Sequence, residues 1–221
     1  MKLLSVNVSG PRAAVYQDRV IRTGIFKKPI SDRVMMRTFN IDGDAQADLT
    51  NHGGVYKAVY TYGIENYEYW KNKLGRKGFL PGQFGENLTT EGISEEAVYI
   101  GDIFRIGSAV AEVSQPRNPC YKLGIKMESQ AFVRQFLRSG RLGFYLRVLE
   151  EGEISAGDSI KRIESGPERI SVLEMARLRN FGEDNLKMTR SALRIPALAP
   201  EIRQEFKDQL DKASLPQEEA H

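Results

Sequence analysis

Val98-Tyr99-Ile100-Gly101-Asp102-Ile103-Phe104-Arg105-Ile106-Gly107-Ser108-Ala109-Val110-Ala111-Glu112-Val113 holds three short β-branched and aromatic runs, at 98–100, 103–106 and 109–113. Runs of that length bounded by turn residues read as strands. The same texture extends from Leu3 to Ile163, with further runs at 34–39, 58–62, 144–149 and 159–163. A second Gly-Asp pair, Gly157-Asp158, leads into Ser159-Ile160-Lys161-Arg162-Ile163 as Gly101-Asp102 leads into Ile103. Tight turns feeding short strands suit a barrel or sandwich.

Two helices interrupt the β region. Ile64, Tyr67, Trp70 and Leu74 fall at helical spacing, and Phe132, Val133, Phe136 and Leu137 share one face of a second segment, 129–138. After Ser165-Gly166-Pro167 the period changes: Ser171 is placed to cap a helix carrying Val172, Met175, Ala176 and Leu178, and helical segments follow at 186–194 and 202–210. The expectation is a mainly β, α+β chain, with a β unit over 1–166 and a small three-helix unit over 167–221.

With 221 residues, 41% hydrophobic and 28% charged, and a mean hydropathy of −0.42, this is the composition of an ordinary globular chain, which excludes wholesale disorder. A net charge of +3 names no partner. One cysteine, Cys120, permits no intrachain disulfide, and His52 and His221 are too few for a structural zinc set. These features, with no run of about 20 apolar residues, set the expectation of a cytoplasmic chain that neither crosses a membrane nor binds nucleic acid. The tail's basic residues, Arg177, Arg179, Lys187, Arg190 and Arg194, are interleaved with Glu174, Glu183, Asp184, Glu201, Glu205 and Asp208, which reads as a solvated surface. Its apolar residues, among them Leu173, Leu178, Phe181, Ile202 and Phe206, call for packing against the β unit or a second subunit, and a homodimer is expected.

Chemistry concentrates in four places. In Asp48-Leu49-Thr50-Asn51-His52-Gly53-Gly54-Val55-Tyr56-Lys57, paired glycines beside His52 and Lys57 offer backbone N–H groups to an anion, the alternative being a plain loop before a strand. In Gly82-Gln83-Phe84-Gly85-Glu86-Asn87-Leu88, Asn87 has the donors and acceptor to read a heterocycle edge, or it is a turn residue bonding its own backbone; Glu86 is a weak candidate acid or base. In Gln115-Pro116-Arg117-Asn118-Pro119-Cys120-Tyr121-Lys122, two prolines stiffen a loop that presents Cys120 between Arg117 and Lys122. Cationic neighbours favour thiolate, making Cys120 a candidate nucleophile or soft metal ligand rather than a buried small hydrophobe. Arg147, a charge within Phe144-Tyr145-Leu146-Arg147-Val148-Leu149, needs either a structural carboxylate or an anionic ligand; Arg33 poses the same question at a strand end.

Taken in order, Asn51-His52-Gly53-Gly54 to Tyr60, Phe84-Gly85-Glu86-Asn87-Leu88, Gln115-Pro116-Arg117-Asn118-Pro119-Cys120, Tyr145-Leu146-Arg147-Val148 and Gly157-Asp158 resemble the MOSC domain, named after the C-terminal domain of molybdenum cofactor sulfurase. The appended helices resemble the tail of its 6-N-hydroxylaminopurine resistance type. The resemblance implies a twisted β-barrel binding the molybdenum cofactor, with Cys120 as the metal's thiolate ligand. The cofactor's anionic arm would fall to His52, Gly53, Lys57, Arg117 and Arg147, with Asn87 on its polar edge. It implies an oxidoreductase that reduces N-hydroxylated bases and related hydroxylamines to amines, with Cys120 and His52 as catalytic residues, or else a carrier of the cofactor or of persulfide sulfur. With neither an iron–sulfur cysteine set nor a nucleotide fingerprint in the sequence, a separate reductase must deliver the electrons.

Overall fold

The computed structural model describes residues 1–48, 53–181 and 185–214. Twelve strands and six α-helices are found among them. Eight strands form one sheet in the order β12 (Ile160–Glu164), β8 (Ile103–Ile106), β9 (Ala109–Pro116), β10 (Phe144–Glu150), β6 (Val59–Gly63), β7 (Leu88–Glu91), β1 (Lys2–Val8) and β4 (Lys28–Ile30). All neighbours are antiparallel except β6 and β7, which run parallel through the helix Ile64–Leu74 (α1). Two short hairpin-like sheets, β2 (Arg12–Tyr16) with β3 (Arg19–Thr23) and β5 (Val34–Met36) with β11 (Gly152–Ile154), flank it.

The sheet curls until its ends meet. Leu3 N–H donates to the Asp158 carbonyl (2.9 Å), Gly157 N–H to the Leu3 carbonyl (2.8 Å) and Ile160 N–H to the Met1 carbonyl (3.0 Å). A single bridge, Lys2 to Ser159, joins these segments in place of a full ladder. The expected barrel is thus a strongly twisted sheet whose closure rests on the second Gly-Asp turn, where Asp158 also accepts two bonds from Arg33 (3.0 and 3.1 Å).

One expected strand is absent. Residues 98–100 form a turn with one isolated bridge, Tyr99 to Ser171. The cause is Asp102, fully buried, which accepts the Tyr99 N–H (2.9 Å) and the Gly166 N–H (2.9 Å) and so folds the run back on itself. Ile100 N–H then donates to the Ile170 carbonyl (3.0 Å) and Val172 N–H to the Val98 carbonyl (2.8 Å), which docks the start of the C-terminal helices on the sheet. Those helices are Val172–Asn180 (α4), Leu186–Ala192 (α5) and Pro200–Ser214 (α6); Tyr121–Lys126 (α2) and Gln130–Ser139 (α3) precede them. Val172, Met175, Leu178, Ile202 and Phe206 belong to the same buried cluster as Leu3, Phe104, Val113 and Leu146 of the sheet. A second, aromatic cluster of Tyr60, Tyr62, Trp70, Phe84, Phe132 and Phe136 lies under α1 and α3. Among the described residues no helix is long and apolar enough to cross a membrane.

Candidate functional site

A cleft with two chambers opens beside the C-terminal end of β9. The smaller one holds about 100 Å³ and the larger about 340 Å³, and both are bounded by Asp48, Lys57, Asn118, Cys120 and Tyr145. The smaller chamber adds Lys27, Gly85, Asn87, Arg117 and Lys122. Four of the expected residues, Lys57, Asn87, Arg117 and Cys120, are therefore brought together from segments up to 63 positions apart in the chain.

Cys120 sits in extended conformation (φ −127°, ψ 174°) at the start of α2, half-buried and outside any disulfide. The strand ends at Pro116, Arg117 N–H donates to the Gly143 carbonyl (3.2 Å), and Leu123 N–H returns to the Cys120 carbonyl (2.9 Å). The loop between is thus pinned at both ends. Arg117 is buried; its guanidinium donates to the Phe84 carbonyl (2.5 Å) and lies 4.5 Å over the Tyr60 ring. Burial pushes the Tyr60 and Tyr145 hydroxyls above their usual range, so both stay neutral beside it.

Asn87 spends its side chain on the protein. Its Oδ1 accepts the Tyr60 N–H (3.1 Å), and its Nδ2 donates to Asp44 Oδ2 (3.0 Å) and the Asn7 carbonyl (3.4 Å). Asp44 in turn pairs with Lys27 (2.5 Å). Burial lowers the Lys27 ammonium from its ordinary value while Asp44 opposes that shift. Nothing in the sequence distinguishes Lys27 from Lys28 beside it, and Asp44 looks like an ordinary turn residue; burial alone separates them.

Glu86 stands outside both chambers. Fully buried, it accepts the Gly82 N–H (2.7 Å), the Phe84 N–H (3.0 Å), the Thr89 hydroxyl (2.9 Å) and the Tyr67 hydroxyl. Burial raises its pKa against these bonds. It is the clasp of the Gly82–Gly85 turn that sets Asn87 in place.

Gly53 and Arg147 also lie off the chambers. Gly53 leads, through Gly54 (φ +91°), into the 3₁₀ turn Val55–Lys57 that carries Lys57. Arg147 faces its cross-strand register partner Glu112, with Nε 3.0 Å from the carboxylate, and lies over Tyr56 (5.3 Å). A structural carboxylate therefore satisfies that charge. His52 lies outside the described residues. Among the described residues no three His, Cys, Asp or Glu side chains gather as a metal set, so a metal here would lean on one thiolate and on donors of its own cofactor.

The tail contributes what sequence reading assigned to solvent. Glu201 of α6 pairs with Lys57 (2.6 Å), and Arg179 of α4 lines the larger chamber while held by Glu205 (2.7 and 2.8 Å). No spacing signal tells these charges from their solvated neighbours, because the contact partner is more than 100 residues away for Lys57.

Compared with known proteins, residues 48–161 match the MOSC domain. The chain is 41% identical to the uncharacterized protein YflK of Bacillus subtilis over 95% of both chains. It is 33% identical to a protein named reductase from Gibberella moniliformis, over 80% of this chain and 32% of that one. The crystal structure of YiiM from Geobacillus stearothermophilus superposes with a TM-score of 0.80 at 31% identity, covering 95% of this chain and 98% of that one.

Proposed function

Because this chain belongs to the MOSC domain family, of the YiiM or 6-N-hydroxylaminopurine resistance type, we propose that it is a molybdenum-cofactor-dependent reductase of N-hydroxylated bases and other hydroxylamines. The family ties the chain to molybdenum cofactor chemistry, and a relative carries the name reductase. The observation that carries the reading is the position of Cys120, a thiol shared by both chambers with Arg117, Lys57 and Lys122 around it.

The donor set fits the group. Cys120 offers the soft thiolate that a molybdenum centre takes, and Arg117, Lys57 and Lys27 line the wall where an anionic arm needs charge-assisted donors. When bound, the cofactor supplies the two-electron couple that cleavage of an N–O bond requires. The reaction R–NH–OH + 2e⁻ + 2H⁺ → R–NH₂ + H₂O leaves the protein to bind, orient and exclude water. Arg117, locked by the Phe84 carbonyl and the Tyr60 ring, holds a fixed positive charge in the wall it shares with Cys120. Lys122, 3.4 Å from Asp48, adds a second cation to the same wall. Glu86 spends its carboxylate inside the turn and takes no part, which leaves solvent and His52 as the proton donors of this reading. Electrons come from a separate reductase, and the chain works as a homodimer in the cytoplasm.

The test is reduction of an N-hydroxylated base by protein from a host that makes the cofactor, with a chemical electron donor. Wild type is expected to form the amine and Cys120→Ala to form none. A wild type that holds molybdenum but forms no amine would overturn the reductase reading in favour of a carrier.

A further inference from the structure

The ribbon β2–β3 pairs with no other strand, so both of its faces need an account. Side chains alternate along each strand, which puts Ala14, Tyr16, Ile21 and Thr23 on one face and Ala13, Val15, Val20 and Arg22 on the other. The first face turns inward. Thr23 is buried and lines the smaller chamber, and the Tyr16 ring packs on Tyr121 with ring centroids 4.5 Å apart. Tyr121 follows Cys120 in the chain and lines the larger chamber. The second face is bare. Val15 and Val20 stand directly opposite each other and are 68% and 75% exposed. Arg12, Arg19 and Arg22 are exposed on the same ribbon, where Asp18 is the one carboxylate. Arg12 lies over the Phe26 ring and Arg22 donates to the Pro11 carbonyl (3.2 Å); among the described residues none of the three arginines meets a carboxylate.

We infer that this ribbon is the docking surface for the electron-donating protein, and that the donor presents an acidic rim around a small apolar spot. The inference rests on the reductase reading for the need of a donor, and assigns the place and the chemistry of its contact. Electron transfer falls off steeply with distance, so a donor has to settle against surface close to Cys120. The ribbon provides such surface, because its tip packs on the residue next to Cys120. An exposed valine pair among arginines has the make-up of an interface core with a polar rim. Its small extent suits the transient encounters of electron-transfer proteins. The excess of positive charge on the ribbon steers an acidic partner toward this side of the cleft. A second copy meeting the ribbon across a two-fold axis would set the same arginines against themselves, so the occupant is a different chain.

The probe is an acidic two-iron ferredoxin, titrated at low salt into the cofactor-loaded full chain. Wild type is expected to bind it, and more weakly as salt rises. Arg19→Gln/Arg22→Gln is expected to raise Kd about tenfold, roughly threefold per charge, the scale for exposed ion pairs. Val15→Ser/Val20→Ser is expected to raise it as well, while Arg19→Lys/Arg22→Lys keeps the wild-type affinity and serves as the control for folding. Arg134→Gln/Arg138→Gln makes the same charge change on exposed positions of α3 and is expected to leave Kd unchanged. No binding by wild type, an equal loss in the α3 variant, or unchanged affinity in the Gln and Ser ribbon variants would each overturn the inference. So would a dimer, or binding to phosphatidylglycerol vesicles, that those ribbon variants abolish while ferredoxin binding persists. The second readout is reoxidation of reduced ferredoxin on mixing with the oxidised, cofactor-loaded chain, expected to slow in the Gln and Ser variants in proportion to Kd below saturation. Binding without reoxidation would overturn the donor assignment. Because neither readout includes amine formation, a chain that docks and oxidises ferredoxin yet reduces no N-hydroxylated base refutes the reductase reading and leaves the docking surface standing.

Discussion

Cys120 and Arg117 were legible as a pair because prolines at 116 and 119 isolate them on a stiff loop, a signal that is local in sequence. Lys27 was not, because a lysine gains meaning only from where it is buried. Lys126 is of the same kind: its ammonium donates to the carbonyls of Gly82 (2.7 Å), Ile25 (3.0 Å) and Lys27 (3.4 Å), tying two loop segments to the end of α2. Burial pushes its pKa down to about 8, with Glu86 opposing. Between that value and the ordinary 10.5, the folded chain has released a proton that the unfolded chain still holds. Stability from this group therefore rises as pH increases through that window and is lost as pH falls back through about 8. Urea unfolding of wild type and Lys126→Met across pH 7.5 to about 10.5 is expected to give a difference curve that climbs in favour of wild type. A flat difference would show that the three carbonyl bonds, and not the proton, govern this site.

Among the elements, α1 runs over the residues expected of it, Ile64–Leu74, because its apolar spacing and the left-handed Gly75 that ends it are both local. The helix after Ser171 was likewise legible: the Ser171 side chain accepts the Glu174 N–H and the Glu174 carboxylate accepts the Ser171 N–H, a reciprocal cap written in four consecutive residues. Ser171 is also the strand-like bridge to Tyr99, so its loss acts on both the helix and its docking point. Ser171→Ala is expected to cost about 1–2 kcal/mol in urea unfolding, with the larger end expected if the Tyr99 bridge loosens with the cap. What failed was the run at 98–100, read as a strand from its composition. Its β-branched residues are buried, but a single acceptor, Asp102, redirects its backbone, and no period in the sequence records a carboxylate that reaches three positions back. The hairpin β2–β3 and the short helix α2 also escaped notice, since exposed Val15 and Val20 give no buried face and six residues are too few for a helical period.

At the scale of the whole molecule, the helices after 166 are continuous with the sheet's core. Ile170, Val172, Met175, Leu178, Ile195, Leu198, Ile202 and Phe206 all lie in the cluster that holds Ile100, Phe104 and Val113. Each such side chain contributes about 1.5–3 kcal/mol on burial, so their combined removal exceeds the ~5–15 kcal/mol that a domain has in reserve. A chain ending at residue 166 is expected to lose its near-ultraviolet circular dichroism and its cooperative urea transition. A sharp transition in that truncated chain would instead make the β unit an independent domain, with the helices as an added wall to the cleft. The central claim is that Cys120, shared by the two chambers of the cleft beside Arg117, holds a molybdenum cofactor. Elemental analysis of wild type and Cys120→Ala, both purified from a host that makes the cofactor, tests it most directly. The account predicts near-stoichiometric molybdenum in wild type and its loss in the variant; molybdenum absent from both, or retained equally by both, would contradict it.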